Sequence, residues 1–299
     1  MRQLGLKAGN WIAAVLLLPG LVFGLTAGLF AALLTGLVPH AHAAPVPSQA
    51  VPSATPDLET IVSRMEQAQT AAHEQNQAYT VTRNYQFFGA DRSKLSSQVV
   101  AQVEYQPPAT KSFTIKQASG SGQGTKIVKQ VLQHESDAAK NSNGGLITRA
   151  NYDFEFVRAE NLNGAPCYVL KLDPKHESKD AVRGQAWVDA NSYLIRHVEG
   201  DLTKNPSWWV KDVHVVMDFG RIAGVWLQTA TLAVANVRFL GQHSMLAQNV
   251  ALTVMTPAML ASSSSGRGAA SGRAPALPRV IALRKPRMPI SYAAIGVQR

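Results

Sequence analysis

The sequence predicts an α+β fold built on one large, curved and mainly antiparallel sheet, and three observations support this prediction. First, runs rich in β-branched and aromatic residues follow one another, each bounded by turn-type residues. Second, residues 184–199 form a hairpin in which two such runs flank the turn cluster at 189–192. Third, two other segments have helical periodicity, and an antiparallel sheet with one apolar face needs such elements to cover it.

The excess positive charge of the chain lies at its two ends. The 299 residues carry a formal net charge of +10, from 29 basic and 19 acidic residues. Residues 1–43 and 261–299 contain basic residues and no acid, so the middle of the chain is close to neutral. A basic surface that binds nucleic acid is therefore not predicted for the folded domain.

The N-terminal segment has the pattern of an export signal. Two basic residues precede an uncharged apolar stretch over residues 11–38, and residues 41–43 form an A-x-A type cleavage site. Because the apolar stretch is also long enough to span a bilayer, residues 1–43 are interpreted as a signal peptide or, alternatively, as a retained inner-membrane anchor. The domain that follows is expected in the periplasm, where the single cysteine, Cys167, can form no internal disulfide.

The rest of the chain divides into a linker, a folded domain and a tail. Residues 44–56 are rich in Pro, Ser and Ala and have no apolar period, which is typical of a linker. Residues 57–256 contain the predicted helices and strands. Residues 257–299 form a basic tail rich in Ser, Gly, Ala and Pro, for which we expect disorder and consider contact with anionic surfaces.

Two helices are predicted from apolar residues at helical spacing. The first begins at Asp57 and carries a stripe of Leu, Ile, Val and Met that is typical of a core-facing helix. The second runs from about Ile127 to about Lys140, and it is either a lid over the sheet or an ordinary core helix. The Gly-rich segment 120–126 before it lacks the Gly-Lys-Ser/Thr ending of a phosphate loop, so it is interpreted as a flexible hinge.

One predicted strand places a charge among aromatic side chains. The alternating positions that share one face of this strand are Tyr79, Val81, Arg83, Tyr85 and Phe87. A buried guanidinium group needs a hydrogen-bonded or charged partner, since an unpaired buried charge is very costly. Arg83 is therefore expected either to be paired inside the fold or to lie near the rim with its charged group in water.

The sequence contains none of the common motifs for catalysis or metal binding. It has no His-Glu-x-x-His, no cysteine pair and no Gly-x-Ser-x-Gly elbow. The adjacent pairs His134-Glu135 and His176-Glu177 are interpreted as surface residues. Asp212, His214 and Asp218 share a strand face and are interpreted as its solvated side. We therefore predict no catalytic residue, no metal site and no cofactor, and keep an exported hydrolase as a third hypothesis.

Several hairpin motifs resemble those of a known family. They are Asn163-Gly164, the strand ending Asp173-Pro174-Lys175, the run Gln185-Ala-Trp-Val-Asp189, and the run Leu194-Ile-Arg-His-Val-Glu199. Together with the order of elements over residues 57–256, they resemble the outer-membrane lipoprotein-sorting family, the LolA/LolB-like carriers. Residues 224–227, Gly-Val-Trp-Leu, are similar to a later strand of related exported proteins.

This resemblance implies an unclosed β-barrel of about eleven antiparallel strands, with helices over its concave apolar face. It also implies a non-catalytic periplasmic carrier or binding protein for lipoprotein acyl chains or other hydrophobic ligands, with Arg83 holding a lid closed. The predicted ligand-lining residues, for each of which ordinary core packing is the alternative, are Tyr79, Val81, Arg83, Tyr85, Phe87, Val99, Val103, Tyr105, Phe113, Trp209, Val215 and Met217. The alternative function is a periplasmic regulatory or sensor module that binds an inner- or outer-membrane protein.

Overall fold

The computed structural model describes residues 56–75, 77–91, 94–140, 147–205, 207–255 and 280–283. The predicted signal segment, nearly all of the linker and most of the basic tail lie outside these residues. The described residues form helices α1 (Leu58–Glu74) and α2 (Gly122–Lys140). They also form the strands β1 (Tyr79–Phe88), β2 (Leu95–Gln106), β3 (Thr110–Gly120), β4 (Tyr152–Leu162), β5 (Ala165–Pro174), β6 (Val182–Asp189), β7 (Ile195–Leu202), β8 (Val210–Ile222), β9 (Val225–Val237), β10 (Gly241–Val254) and β11 (Val280–Ala282). Within this part of the chain, neither helix is both long and apolar enough to cross a membrane.

The eleven described strands belong to one antiparallel sheet that does not close into a barrel. Their order is β3-β2-β1-β10-β9-β8-β7-β6-β5-β4, with β11 paired to β10 beside this path. Because β3 and β4 are consecutive in the chain but lie at opposite edges, the chain passes from one edge to the other through α2. The α+β fold with one large unclosed antiparallel sheet is confirmed.

Short turns join neighbouring strands and fix their register. The Asn163-Gly164 turn between β4 and β5 has φ angles of 52° and 88°, and Leu162 pairs with Ala165 across it. Positive φ at both central residues is required by the two-residue turns that match the twist of a hairpin, and Asn-Gly is the sequence that adopts them most readily. The hairpin predicted at this turn is confirmed.

The two helices cover different halves of the concave face. Helix α1 is capped by Asp57, whose carboxylate accepts from the Thr60 backbone N–H at 2.8 Å. It packs against β4 to β8 and the adjoining part of β9. Helix α2 packs against β1, β2 and β3 and the parts of β9 and β10 beside them. We call the two resulting apolar clusters the α1 half and the α2 half. The buried members contributed by α1 are Ile61, Val62 and Met65, and those contributed by α2 are Val128 and Leu132.

The Gly-rich segment before α2 is not the flexible hinge that the sequence predicted. Helix α2 already begins at Gly122, so most of this segment is its first turn. Gly124 is buried against β2, and a Cβ atom at this position would lie only 2.2 Å from the Ser97 hydroxyl oxygen. Glycine is therefore needed for the close approach of helix and strand. Gly120, with φ of 81°, makes the turn out of β3.

Two strand segments lie where the sequence predicted none. Strand β10 begins at Gly241, although residues 241–244 are polar and lack β-branched side chains. Strand β11 lies within the predicted tail and pairs with β10 at residues 251–253. In both cases the neighbouring strands supply the hydrogen bonds, so pairing decides the structure more than local propensity does.

Candidate functional site

Arg83 lies on the concave face of β1, within the α2 half. Its Nη1 donates to Glu135 Oε1 at 2.7 Å and to the Tyr85 hydroxyl at 3.2 Å. Its Nε donates to Asn249 Oδ1 on β10 at 3.1 Å. The side chain is only 12% exposed. Of the two expectations for Arg83, the structure therefore has the paired guanidinium inside the fold.

Glu135 brings the negative charge from α2. Its carboxylate is 25% exposed and lies 4.0 Å from Lys111 Nζ of β3 in addition to its contact with Arg83. Burial alone would raise the pKa of Glu135, but the charges of Arg83 and Lys111 outweigh burial and hold this pKa below its ordinary value. Burial alone would likewise lower the pKa of Arg83, but the Glu135 carboxylate outweighs it and the pKa is raised. Both groups are therefore charged, and the ion pair joins helix to sheet.

The position of Glu135 follows from the periodicity of α2. Val128, Leu132 and Glu135 are spaced i, i+4 and i+7, so all three lie on the face that packs against the sheet. The interpretation of His134-Glu135 as a pair of surface residues is therefore wrong for Glu135. The signal that finds it is the extension of the Val128 and Leu132 stripe by one turn.

Most of the predicted lining residues are brought together beneath α2. They are buried in the α2 half, apart from Phe113, which is partly buried and packs against it. Burial raises the pKa of Tyr85 and of Tyr79 to about 12, so both rings stay uncharged beside Arg83. The residues gathered in this way are Tyr79, Val81, Tyr85, Phe87, Val99, Val103, Tyr105 and Phe113.

Three predicted lining residues lie elsewhere. Val215 and Met217 belong to the α1 half. Trp209 lies just before β8 and stacks on Trp208, with ring centroids 3.6 Å apart. The alternation that placed Trp209 on the concave face is interrupted, because the register of β8 shifts between Val210 and Asp212. Val210 is buried in the α1 half instead.

A shallow opening adjoins the Arg83 side chain, and it has no room for even a water molecule. It lies where β9 and β10 part, because their pairing ends at Ala230 and Gln248. Asn249 bridges this fork by donating from Nδ2 to the Gln228 carbonyl oxygen at 2.7 Å. Ligand sites for small molecules are far larger than this opening. An acyl chain can therefore enter the α2 half only if α2 moves away from the sheet.

A second group of ionisable side chains lies on the opposite face of β7 and β8. His197 Nδ1 is 2.7 Å from Asp218 Oδ1, and its Nε2 is 3.6 Å from Glu199. His214 continues the series with contacts to Glu199 at 3.4 Å and Asp201 at 2.9 Å. Asp218 and His214, which the sequence analysis interpreted as solvated, are thus both paired. In the part of the chain that the structure describes, no group of three His, Cys, Asp or Glu side chains has the arrangement of a metal site.

The fold and the site together define a class of protein: an unclosed antiparallel half-barrel whose concave face is covered by helices, one of them held by a buried ion pair. No family model matches the sequence, and a search of curated proteins found no match.

Solved structures with a similar strand arrangement include LolA-superfamily proteins. One similar structure is a DUF1329 family protein from Desulfovibrio piger, with 14% identity, a TM-score of 0.38, and coverage of 68% of this chain and 95% of that one. A LolA superfamily protein from Nitrosomonas europaea has 13% identity, a TM-score of 0.37, and coverage of 66% and 93%. A domain described as outer membrane lipoprotein-sorting, from Vibrio parahaemolyticus, has 13% identity, a TM-score of 0.36, and coverage of 64% and 92%. At this level of similarity, the function has to be argued from the side chains of this chain.

Proposed function

We propose that this chain is an exported, non-catalytic carrier or binding protein of the periplasm for lipoprotein acyl chains or other hydrophobic ligands. The ligand occupies the concave face of the α2 half, and α2 acts as the lid. The observation that carries the proposal is the ion pair between Arg83 and Glu135, which lies beneath α2 and is surrounded by aromatic and β-branched side chains.

A buried ion pair is a poor device for holding a helix permanently. Replacing such a pair by apolar side chains of similar volume is often neutral or stabilising by about 1–4 kcal/mol, because two charges no longer have to be removed from water. Two apolar residues at positions 83 and 135 would thus hold α2 at least as firmly. The ion pair has a different property, which is that it can be opened by entering water or a polar headgroup and then formed again. This supports a helix that docks reversibly.

The energetics of exchange favour an acyl ligand. Val128 and Leu132 are the large apolar side chains that α2 buries in the α2 half, and burying two such side chains contributes about 3–6 kcal/mol. Each buried methylene of a ligand contributes about 0.8 kcal/mol. An acyl chain with roughly eight or more buried methylenes therefore offsets the exposure of these two side chains when α2 leaves the sheet. Short or polar ligands do not offset it, so the lid itself selects for long apolar chains.

The proposal is tested by native mass spectrometry and lipid extraction of the exported chain, purified without detergent. We expect bound acyl species, and we expect a fluorescent fatty acid to bind and exchange. In Arg83→Leu, Glu135 keeps only Lys111 as a charged partner, so the lid is released and the probe dissociates several-fold faster while the fold is retained. Arg64→Leu is the matched control, because Arg64 is an exposed arginine of α1 and is not in the ion pair.

Two outcomes would contradict this function. One is a protein that carries no lipid and does not bind the fatty-acid probe. The other is an Arg83→Leu variant that loses thermal stability strongly while its ligand exchange is unchanged.

The second candidate is a periplasmic regulatory module that binds a membrane protein. It is favoured by the packing beside Arg83, where the opening has no room for a water molecule and the chain's own side chains fill the α2 half. This function predicts that the fatty-acid probe fails to bind to both the wild-type chain and Arg83→Leu. If the chain is a carrier, the probe binds to the wild-type chain and exchanges faster in Arg83→Leu.

A further inference from the structure

One end of the sheet displays the most exposed aromatic side chains of the described residues. Phe239, in the turn between β9 and β10, is 95% exposed, and Trp208, in the connection before β8, is 66% exposed. Leu240 is 43% exposed beside Phe239, and Trp209 stacks on Trp208. We call Trp208, Trp209, Phe239 and Leu240 the aromatic tip.

The aromatic tip is a fixed structure. The Arg238 backbone N–H donates to the Trp209 carbonyl oxygen at 2.8 Å, and the Arg238 guanidinium donates to the Trp208 carbonyl oxygen at 3.0 Å. The pairing of Val210 with Val237 follows directly below these bonds. The two segments of the tip therefore hold each other, and their apolar side chains point into water from a common base.

The backbone at Phe239 is in an unfavourable conformation that keeps its ring exposed. Its φ angle is 69°, in the left-handed region that bulky side chains rarely adopt. A Gly or Asn residue would make the same turn without this strain. Strained positions of this kind are found where function selects the side chain. An aromatic ring that is both strained and 95% exposed has no role in packing.

Exposed positively charged residues flank the aromatic tip along the chain. They are Lys204, Lys211 and Arg238, and among the described residues none of the three is in an ion pair. The acidic residues beside them are engaged with other groups. Asp201 pairs with His214, and Asp212 accepts a hydrogen bond from Asn236. The tip therefore presents apolar rings flanked by unpaired cations.

We propose that the aromatic tip docks onto the surface of an anionic lipid bilayer. Tryptophan and other amphipathic rings partition to the boundary between headgroups and acyl chains, and lysine and arginine bind the anionic headgroups beside them. A protruding tip suits a fluid surface, which deforms around side chains, whereas a protein partner would need a matching concavity. The inference goes beyond the proposed carrier function, because it does not require that the α2 half binds any ligand.

The test compares the two ends of the sheet in the full chain. The fluorophore NBD is attached to Cys at position 239 (Phe239→Cys) or at position 163 (Asn163→Cys), each in a chain that also carries Cys167→Ser. Asn163 is exposed in the turn at the opposite end of the sheet, so any tethering by the N-terminal segment or by the basic tail acts equally on both proteins. Each protein is mixed with vesicles of brominated phosphatidylglycerol and phosphatidylcholine, in which bromine quenches a probe that enters the acyl region.

We expect strong quenching and a blue shift of NBD at position 239, and little change at position 163. Replacing phosphatidylglycerol by neutral lipid, or introducing Lys204→Glu, Lys211→Glu and Arg238→Glu together, should reduce the signal at position 239 to that at position 163. Equal quenching at both positions, or no quenching at position 239 in anionic vesicles, would overturn the proposal. Ligand binding measured with the fatty-acid probe is a separate readout, so failure of the docking surface is distinguished from failure of the carrier function.

Discussion

The two halves of the concave face are covered by helices of similar length, but the chemistry of their contacts differs. In the α1 half, the buried cluster consists of apolar and aromatic side chains, with Ile61 and Met65 of α1 fully buried among them. In the α2 half, the same kind of apolar cluster surrounds the ion pair between Arg83 and Glu135, and Asn249 is buried beside it. Helix α1 also has charged contacts, between its Glu59 and Glu66 and the Arg149 side chain, but these lie nearer the surface. The ion pair that holds α2 differs because its arginine is buried among apolar side chains.

This difference indicates which helix can leave the sheet. Removing α1 exposes a continuous apolar surface and recovers little desolvation cost, since its charged contacts with Arg149 are already largely in water. Removing α2 also exposes apolar surface, but it returns two charged groups to solvent and so recovers part of their desolvation cost. Local opening is therefore expected at α2 before it occurs at α1.

The largest expected effect is on the free energy of global unfolding, and it tests whether the α1 half is a permanent core. Met65→Ala removes a fully buried side chain of α1, so we expect it to lower the free energy of global unfolding by about 2–5 kcal/mol. Chemical denaturation followed by circular dichroism measures this loss.

The matched variant in the other half is Leu132→Ala, at an equally buried position of α2. Its truncation should act mainly on the docking of α2, so hydrogen exchange of the α2 amides accelerates more than that of the α1 amides. If Leu132→Ala and Met65→Ala accelerate exchange in both helices alike, the two halves unfold together and the comparison fails.

The next effect concerns the ion pair itself and is measured by a double-mutant cycle. Arg83→Leu and Glu135→Leu each leave one buried charge without its main partner, whereas the double variant leaves neither. We expect each single variant to weaken α2 docking and the double variant to restore it, with a coupling free energy of about 1–3 kcal/mol. The readout is hydrogen exchange of the α2 amides, with the α1 amides as internal reference. Effects that simply add would show that the pair does not hold the lid.

A smaller effect concerns the face behind the α1 half, where His197 lies between Asp218 and Glu199. Burial alone would lower the pKa of His197, but the hydrogen bond with Asp218 and the nearby Glu199 carboxylate outweigh it and raise the pKa to about 9. A raised pKa contributes stability in full below about pH 6.5, and this contribution is lost as the pH rises through about 9. We expect the free energy of unfolding to fall by on the order of 1 kcal/mol between pH 6.5 and 9.5.

At low pH, the same cluster acts through Glu199, whose contribution to stability falls as the pH is lowered. The neighbouring imidazoles of His197 and His214 lower the pKa of Glu199 to about 2, so its contribution is present above about pH 4.5 and is lost as the pH falls through about 2. In His197→Gln, the fall of the free energy of unfolding at alkaline pH should be smaller, with the remainder coming from His214, whose pKa is also raised by its carboxylate partners. The control is His73→Gln, at an exposed position of α1, and an unchanged slope in His197→Gln would exclude His197 as its source.

Much of the fold was accessible from sequence because it depends on local patterns. Alternation identified most strands, the Asn163-Gly164 turn fixed a hairpin, and the same alternation placed Arg83 among aromatic side chains, which required a partner. Strand β10 was only partly found, since its first residues are polar and are held by their neighbours.

The candidate site was harder to predict, because it depends on contacts between distant segments. Glu135 is the partner of Arg83 only because α2 folds back over β1, and the sequence offers several other acids for that role. In the sequence, Gly124 belongs to a segment that resembles a hinge. In the structure, it allows α2 to approach Ser97 of β2 closely. Trp209 shares the alternation of Val215, but the register shift near Val210 places it at the tip.

The smallest expected effect concerns a side-chain hydrogen bond between α2 and the connection that leads from β5 to β6. His134 Nε2 lies 2.8 Å from Asp180 Oδ1, and both side chains are about half exposed. Exposed pairs of this kind are worth about 0.2–1 kcal/mol, since water and salt screen them. We therefore expect His134→Gln to accelerate hydrogen exchange of α2 only slightly, and less than Arg83→Leu does. A larger effect for His134→Gln would mean that α2 is held at the rim of the half-barrel, and that the buried ion pair serves the binding of a ligand headgroup more than closure.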